Sequence, residues 1–329
     1  MFAFSVRKAA VPLVAAVVVA GAFATIGASS SNARKIRLAA VLPNTSDPFF
    51  MTQVCSAKQE AKRLGVTLRM FTSTSTDTNA MANNFQSALL TKPQGIFVTP
   101  FNNNQFIAQY KSLMKKGVPV VTGNTTTPAT QYKWVFSAAD TARFAPTVLQ
   151  SVPAGSGSMV YLGGAPGIPP LEARTLPFVK AVEVARPELN RLPNDYSGFD
   201  INKETQNVSS LLLAHPDLKL IIAADGPDAA GAAAAITQAG KAGKVTLVAF
   251  DAIPPEVQAL KQGVISYLIA QSPATIGRLS IRTLVSYLKA HPRGGRVKVA
   301  GRIAVPNQLL TKATVDSPKN AAYVYKTGC

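Results

Sequence analysis

From residue 35 onward, short apolar runs alternate with amphipathic segments of helical length. Runs that are apolar at nearly every position are typical of strands buried on both faces, as in a parallel sheet covered by helices. The alternation predicts an α/β protein with two Rossmann-like lobes, each a parallel sheet flanked by helices. The predicted strands are 36–43, 66–71, 95–100 and 118–123 in one series and 157–164, 218–226, 244–252 and 265–271 in the other.

Polar side chains collect where these strands end. Ligands of open α/β sheets bind outside the carboxyl ends of the strands, so these positions are candidates for a binding site. Asp and Asn are common turn formers, but Arg and Gln are not, and the recurrence in both series favours a site. Carboxylates and amides can hold vicinal hydroxyls, and Arg donates to oxygen atoms. The candidates are Asp47, Asn102, Asn124, Arg174, Asp225, Asp251 and Gln271.

Aromatic residues accompany the polar candidates. Phe49 and Phe50 follow Asp47 directly, in "VLPNTSDPFF", and Phe199 lies in "YSGFDINKE" of the second series. We expect them to pack on the aliphatic face of a sugar ring; core packing is the alternative for any one of them. The candidates include three carboxylates and one guanidinium, which suits a neutral polyol, or a cationic or amino sugar, better than an acidic ligand.

Length and composition limit the possible classes of protein. A chain of 329 residues suits two lobes better than one compact core, and 47% hydrophobic with 15% charged residues indicates a globular protein. The net charge is +18, but the basic residues are scattered, with no dense run and no RNA-type aromatic signature. Nucleic acid is therefore not a predicted partner. A basic surface could instead face an anionic partner or a membrane.

The first 31 residues are predicted to be a signal peptide and spacer. Arg7 and Lys8 precede an apolar run, and "AFA" ending at Ala24 is a candidate cleavage box, although the cleavage site is not fixed. An uncleaved membrane anchor is the alternative; the abundance of Ala and Gly and the interruption at Pro12 favour cleavage. We expect a periplasmic or other extracytoplasmic location.

Two cysteines, Cys55 and Cys329, leave two alternatives open. In an oxidising compartment they could form a disulfide that joins the C-terminal tail to the first helix, or they could remain a buried and a loose thiol. The tail itself, "SPKNAAYVYKTGC", has no predicted role.

Catalytic and cofactor motifs are missing. The sequence contains no G-x-x-x-x-G-K-[ST], H-E-x-x-H or G-x-S-x-G, and "GGAPG" lacks dinucleotide-loop spacing. His215 and His291 are 76 positions apart without a carboxylate or thiol at metal-ligand spacing. Paired carboxylates could serve glycoside hydrolysis, but nothing singles out a proton donor. We predict no cofactor, no metal site and no catalysis.

Several motifs, in order and at family spacing, resemble those of type I periplasmic binding proteins. The similarity runs from about residue 35 to 311 and is to the ribose-binding branch, which serves ABC importers. The matching stretches are "DPFF" (47–50), "GIFVTP" (95–100), "GVPVVTGN" (117–124), "EARTLPF" (172–178), "GFD" (198–200), "AADGPDAAGA" (223–232), "LVAFDA" (247–252) and "IAQSPATIG" (269–277).

The resemblance implies two lobes joined by a three-segment hinge that close over one sugar. We place the N-terminal lobe at 32–124 plus 273–305, and the C-terminal lobe and tail at 125–272 plus 306–329. The family's sugar-contacting positions fall on Asp47, Phe49, Phe50, Asn102, Asn124, Arg174, Phe199, Asp225, Asp251 and Gln271.

Four of these positions depart from the ribose pattern. Asp47 and Asp225 stand where ribose binders usually carry asparagine, and Asn102 and Asn124 stand where aspartate is usual. A pocket that hydrogen-bonds specific hydroxyls discriminates strongly against analogues that leave its groups unpaired. The exchange should therefore change which hydroxyl pattern fits, and ribose itself is not implied.

The expected function is that of an exported solute-binding protein, a monomer that captures a monosaccharide or polyol and delivers it to the membrane permease of an ABC importer. A receptor that presents the ligand to a chemoreceptor or sensor kinase is one alternative. A sugar-responsive repressor would need an N-terminal helix-turn-helix, where this chain has a signal segment. A secreted sugar-processing enzyme is the remaining alternative.

Overall fold

The computed structural model describes residues 1–5, 35–75, 77–125 and 128–329. Most of the predicted signal segment, with its cleavage box at Ala24, lies outside the described residues. The unit Lys35–Cys329 is compact and carries all the elements described below. Of the helices within the described ranges, none is both long enough and apolar enough to cross a membrane.

The elements alternate as the sequence pattern predicts. The strands are β1 (Arg37–Asn44), β2 (Thr67–Ser73), β3 (Gly95–Val98), β4 (Val120–Gly123), β5 (Lys133–Ser137), β6 (Gly157–Gly163), β7 (Leu189–Arg191), β8 (Asp195–Tyr196), β9 (Leu218–Ala223), β10 (Thr246–Phe250), β11 (Tyr267–Ala270), β12 (Arg302–Val305) and β13 (Gln308–Leu310). The helices are α1 (Pro48–Arg63), α2 (Thr78–Leu90), α3 (Ile107–Lys115), α4 (Ala145–Leu149), α5 (Pro169–Ala185), α6 (Ile201–Ala214), α7 (Gly226–Gln238), α8 (Pro254–Gln262) and α9 (Pro273–Ala290).

The strands form two sheets. The first has the order β12-β5-β4-β3-β1-β2 and is parallel throughout. The second has the order β13-β11-β10-β9-β6-β7, with β8 beside β6, and is parallel except where β13 pairs with β11. Central strands such as β6 are buried at every position, as expected of sheets covered on both faces. The predicted α/β class with two parallel sheets is confirmed.

The first sheet extends further along the chain than predicted. The boundary placed at 124 is wrong, because β5 pairs in parallel with both β4 and β12. Val135 is buried in this strand, whereas Trp134 and Phe136 stack on each other at 3.8 Å on the other face. The strand Lys133–Ser137 is therefore part of the first sheet, and the first lobe extends to Ser137. The other lobe boundaries stay a prediction.

The chain passes between the two sheets at three places before its tail. It leaves the first sheet after β5, returns from β11 into α9, which packs on α1, and passes again between β12 and β13. The connecting segments are therefore 138–156, 271–272 and 306–307. Beyond them, the C-terminal tail reaches α1, where Cys329 is bonded to Cys55 with their Cα atoms 5.1 Å apart. Of the two alternatives for the cysteines, the structure has the disulfide.

Candidate functional site

A cavity of about 810 Å³ lies between the two lobes. Its walls are built by residues that follow strand ends, because parallel strands bring their carboxyl ends to one edge of each sheet. Nine of the ten predicted residues line it: Asp47, Phe49, Phe50, Asn124, Arg174, Phe199, Asp225, Asp251 and Gln271.

Arg174 organises the wall formed by the second lobe. It projects from α5, and its guanidinium is buried. Nη1 and Nη2 donate to both carboxylate oxygens of Asp251, the Nη2 contact being 2.9 Å. Nη1 also donates to Gln271 Oε1 at 2.7 Å, and Nη2 donates to the carbonyl of Ala224 at 2.9 Å. Three predicted site residues, from α5 and from the ends of β10 and β11, therefore form one hydrogen-bonded group.

The guanidinium of Arg174 keeps its charge although it is buried. Burial lowers the pKa of Arg174, but the carboxylate of Asp251 outweighs this effect and holds that pKa above its usual range. A bidentate pair of a guanidinium with a carboxylate is geometrically specific as well as strong. The wall is consequently a fixed arrangement of donors and acceptors.

Two other carboxylates in the cavity cap helices. Asp47 accepts from the backbone N–H of Phe49 at 2.8 Å at the start of α1, and Asp225 accepts from that of Asp228 at 3.1 Å at the start of α7. Capping explains locally why an aspartate follows each strand. It leaves the other oxygen of Asp47 available, whereas the carboxylate of Asp225 also has a side-chain hydrogen bond with Asp228.

The environment of these capping carboxylates disfavours their charge. Burial raises the pKa of Asp47 to about 6, with smaller contributions from the nearby carboxylates of Asp251 and Asp225. The N–H of Phe49 and the guanidinium of Arg174 act in the opposite direction. Burial also raises the pKa of Asp225. Asp47 is therefore mostly ionised at pH 7.5 and half-protonated near pH 6.

Aromatic rings from both lobes line the cavity. The rings of Phe49 and Phe50 lie edge to face at 5.3 Å, and Phe50 is 6.5 Å from Phe101. Phe199 belongs to the second lobe and is 45% exposed, which is unusual for a phenylalanine that only fills a core. Its ring covers Gly164, where a Cβ would overlap the ring and would have to displace it.

Strained backbone is concentrated at the cavity. Five non-glycine residues in the described ranges have a positive φ, and three of them line the cavity: Asn124 at 55°, Phe199 at 65° and Asp251 at 93°. Asparagine tolerates this region, but Phe199 and Asp251 adopt it at a cost in free energy. Such residues persist only where surrounding contacts determine the conformation, and they cluster at functional sites.

Asn102 does not join the other predicted residues. It is exposed, and its Oδ1 accepts from the backbone N–H of Asn104 at 3.2 Å, so it caps its own turn. The preceding residue, Phe101, lines the cavity instead. The backbone of the turn after β3 decides which side chain faces the cavity. The sequence "TPFNNNQ" gives the order of these residues but not their orientation.

Sequence reasoning also missed Tyr325, whose hydroxyl donates to Asp251 Oδ1 at 2.8 Å and whose ring lies 5.7 Å from that of Phe49. No pattern in the tail indicated this contact. Across the described ranges, no group of three or more His, Cys, Asp or Glu residues could hold a metal ion.

The comparisons with known proteins agree with this geometry. The family model described as "Periplasmic binding protein domain" matches residues 38–292, well over half of the chain. The chain belongs to this family. The resemblance predicted from the motifs is confirmed, and membership implies a location outside the cytoplasm.

This periplasmic binding protein is 27% identical over 288 residues to the ribose import binding protein RbsB of Salmonella typhimurium, covering 86% of this chain and 93% of the relative. It is 26% identical over 263 residues to the D-allose-binding periplasmic protein of Escherichia coli, covering 77% and 84%. A solved ABC transporter solute-binding protein from Agrobacterium vitis, bound with α-D-tagatopyranose, has the same fold, with a TM-score of 0.73 at 22% identity over 89% of this chain and 100% of that one.

Proposed function

We propose that this periplasmic binding protein captures a neutral monosaccharide or polyol in the cavity between its lobes and delivers it to the membrane permease of an ABC importer. It performs no chemistry on the ligand. The relatives named above are a ribose import protein and an allose-binding protein, which supports a sugar as the ligand class. Export through the signal segment 1–31 would bring the protein to the compartment where it acts.

One observation carries the proposal: hydrogen-bonding groups and phenylalanines from both lobes line the same cavity. A sugar combines hydroxyls at its edge with apolar C–H faces, so it needs both kinds of group. Asp47 caps α1 with only one of its carboxylate oxygens, which leaves the other as an acceptor for a ligand hydroxyl.

The charges of the cavity favour a neutral ligand. Its charged lining residues are Asp47, Asp225, Asp251 and Arg174. The only guanidinium among them is paired with Asp251, and three carboxyl groups face this one cation, which disfavours an anionic ligand. The net charge of +18 belongs to the rest of the surface and does not describe this cavity.

Capture requires the lobes to move, and we assign the movement to the three connecting segments, 138–156, 271–272 and 306–307. Closing the lobes around a sugar would remove water from the cavity. Hydrogen bonds become stronger in such a medium, so the sugar would be held most tightly in the closed state. Opening at the permease would release it.

The experiment that tests the proposal is a thermal-shift screen of the protein purified from the periplasm of an expression host. The panel contains pentoses, hexoses, polyols and amino sugars, with the corresponding sugar acids as matched anionic controls. A ligand at a hundred times its dissociation constant stabilises the folded protein by about 2.7 kcal/mol, which is readily measured. We expect a shift with at least one neutral sugar or polyol and none with its acid. A panel in which only charged compounds, or no compounds, give a shift would contradict the proposal.

Delivery is tested separately. Membrane vesicles from the source organism, supplied with ATP, should take up the radiolabelled sugar only when the purified protein is added. Uptake that does not depend on the added protein would leave capture intact and would refute the importer role.

A further inference from the structure

The C-terminal tail lies beyond the part of the chain that the family model matches, which ends at residue 292. It nevertheless runs into the centre of the molecule. After β13 it follows the second lobe, where Asp316 pairs with Lys261 of α8 at 2.6 Å. It then passes the segment between β11 and α9, where the Ser272 hydroxyl donates to the carbonyl of Ala322 at 3.0 Å.

Tyr325 ends this path directly behind the cavity wall. It is only 2% exposed. Its hydroxyl donates to Asp251 Oδ1 at 2.8 Å, and its backbone N–H donates to the carbonyl of Ala252 at 3.0 Å. Its ring contacts Phe49 of the first lobe at 5.7 Å. Tyr325 of the tail thus contacts Asp251 in the second-lobe wall and Phe49 in the first-lobe wall.

The tail is attached to the first lobe immediately after Tyr325. The backbone N–H of Lys326 donates to Thr52 Oγ1 at 2.6 Å, and Cys329 is bonded to Cys55. Both partners are on α1. The four residue steps from Tyr325 to Cys329 span at most about 14 Å, so a tail bonded to α1 keeps the tyrosine close to the cavity.

Asp251 depends on such support. Its φ of 93° is a conformation that a non-glycine residue keeps only when its surroundings determine it. Arg174 fixes the carboxylate from one side. Tyr325 fixes Oδ1 from another, and its neutral hydroxyl does so without a charge that would compete with Arg174.

We propose that the C-terminal tail is part of the ligand site: Tyr325 is a positioning residue that holds Asp251 for the ligand, and the Cys55–Cys329 disulfide holds Tyr325 in place. This inference rests on the proposed function, because it takes Asp251 as a ligand-binding residue. It predicts that affinity for the sugar depends on a hydroxyl that does not line the cavity and on a disulfide outside the cavity.

The first test is Tyr325→Phe, which removes the hydroxyl and keeps the ring against Phe49. Calorimetry with the sugar that gives the largest thermal shift should show a loss of affinity of at least about tenfold relative to wild type, since a hydrogen bond to a charged group is lost. Tyr323→Phe is the matched control, as this tyrosine is in the same tail but does not contact Asp251, and it should bind as the wild type does. Equal affinity of Tyr325→Phe and wild type would overturn the proposal.

A double-mutant cycle distinguishes positioning from a general loss of stability. If Tyr325 acts through Asp251, then Tyr325→Phe should have little effect on affinity in an Asp251→Ala background, where the hydroxyl has no acceptor left. Effects that simply multiply would show that the hydroxyl acts elsewhere and would overturn the assignment. The same cycle with Cys55→Ser and Cys329→Ser together tests the disulfide: its removal should weaken binding, and Tyr325→Phe should then add little.

A readout without ligand separates failure of this inference from failure of the proposed function. Hydrogen exchange by mass spectrometry should be faster at residues 251–253 in Tyr325→Phe, and in the variant without the disulfide, than in wild type and Tyr323→Phe. Unchanged exchange overturns the positioning role even if sugars bind. If no sugar binds the wild type, the proposed function fails, and so does the claim that Tyr325 affects sugar affinity. Faster exchange in the variants would still support the claim that Tyr325 and the disulfide hold Asp251 in position.

Discussion

The two walls of the cavity are built differently. The wall from the second lobe is a connected polar group, in which Arg174 joins Asp251 and Gln271 and Tyr325 contacts Asp251 from behind. The wall from the first lobe combines three phenylalanine rings and the capping carboxylate of Asp47 with separate polar side chains, namely Asn44, Ser46, Asn124 and Thr125. The polar groups of the second wall are hydrogen-bonded to one another, whereas those of the first wall are separate.

This contrast indicates which lobe specifies the ligand. A preorganised set of donors and acceptors reads the positions of hydroxyls, whereas aromatic faces accept many sugar rings and mainly exclude water. We therefore expect the second lobe to determine which sugar binds and the first lobe to strengthen binding once the lobes meet. Five substitutions, in order of decreasing effect, test the site: four replace residues predicted to bind the ligand, and Asp228→Asn replaces the buried carboxyl that is hydrogen-bonded to Asp225.

Arg174→Ala should have the largest effect. It leaves Asp251 buried without its cation, and breaking a buried ion pair lowers the free energy of unfolding by about 3–5 kcal/mol. Calorimetry should detect no sugar binding, and denaturant unfolding should show the lower stability. Lys180→Ala is the matched control, because this residue is on the same helix but 75% of its side chain is exposed. Retained binding in Arg174→Ala would show that the polar wall is not needed.

Asp228→Asn should change how stability depends on pH. Burial raises the pKa of Asp228 to about 9, so the folded protein holds a proton that the unfolded chain releases above its ordinary pKa of 3.8. The contribution of this group to stability is therefore full below pH 3.8 and is lost as the pH rises towards 9. The amide resembles the protonated acid and can still accept from Ser197.

We expect the melting temperature of the wild type to fall between pH 5 and pH 9 and that of Asp228→Asn to fall less, by several degrees at pH 9. Asp316→Asn, at an exposed carboxylate, is the control and should follow the wild type. Parallel curves for all three proteins would contradict the assignment of a buried, protonated Asp228.

Asp47→Asn tests the single carboxylate of the first wall. Because the pKa of Asp47 lies at about 6, protons should compete with ligand hydroxyls below that pH. Wild-type affinity should fall by up to about tenfold per pH unit below 6. The variant should bind more weakly than wild type at pH 7.5 but should lose less of its affinity on acidification. The same pH profile in both proteins would show that Asp47 does not face the ligand.

Phe199→Leu probes an aromatic face. A ring contact of this kind contributes about 0.5–1.5 kcal/mol, so affinity should fall about three- to tenfold. The melting temperature without ligand should not change, because the side chain is half-exposed. Ile201→Ala, at a neighbouring exposed residue outside the cavity lining, is the control. Unchanged affinity in Phe199→Leu would show that this ring does not contact the ligand.

Asn102→Ala should have the smallest effect. The side chain caps its own turn outside the cavity, so sugar affinity should stay within about twofold of wild type, as expected for a surface substitution. A tenfold loss in calorimetry would return Asn102 to the site and would mean that its turn rearranges when ligand binds.

Most of the fold was predictable because buried parallel strands have a strong local pattern. The apolar runs that became β1, β6 and β9 are fully apolar over much of their length, and turn residues bound them. The strand Lys133–Ser137 was harder to assign, since only its pairing with β4 and β12 shows which sheet it joins. Long-range pairing of this kind leaves little trace in local sequence.

The residues of the candidate site that directly follow a strand were the most predictable from the sequence. Asp225, Asp251 and Gln271 follow their strands within two residues, so the sheet itself brings them together. Asn102 follows β3 at the end of an irregular turn, whose backbone decides which side chain faces inward. Tyr325 is 74 positions beyond Asp251, and nothing between them predicts that the tail returns to the cavity.

The most direct test of the central claim is a calorimetric titration of one sugar, the one with the largest thermal shift, into the wild type, Asp47→Asn and Asp251→Asn at pH 7.5. We expect one sugar per chain for the wild type and a loss of at least tenfold in affinity from a substitution in either wall. Wild-type affinity in either variant would show that the corresponding lobe does not hold the ligand.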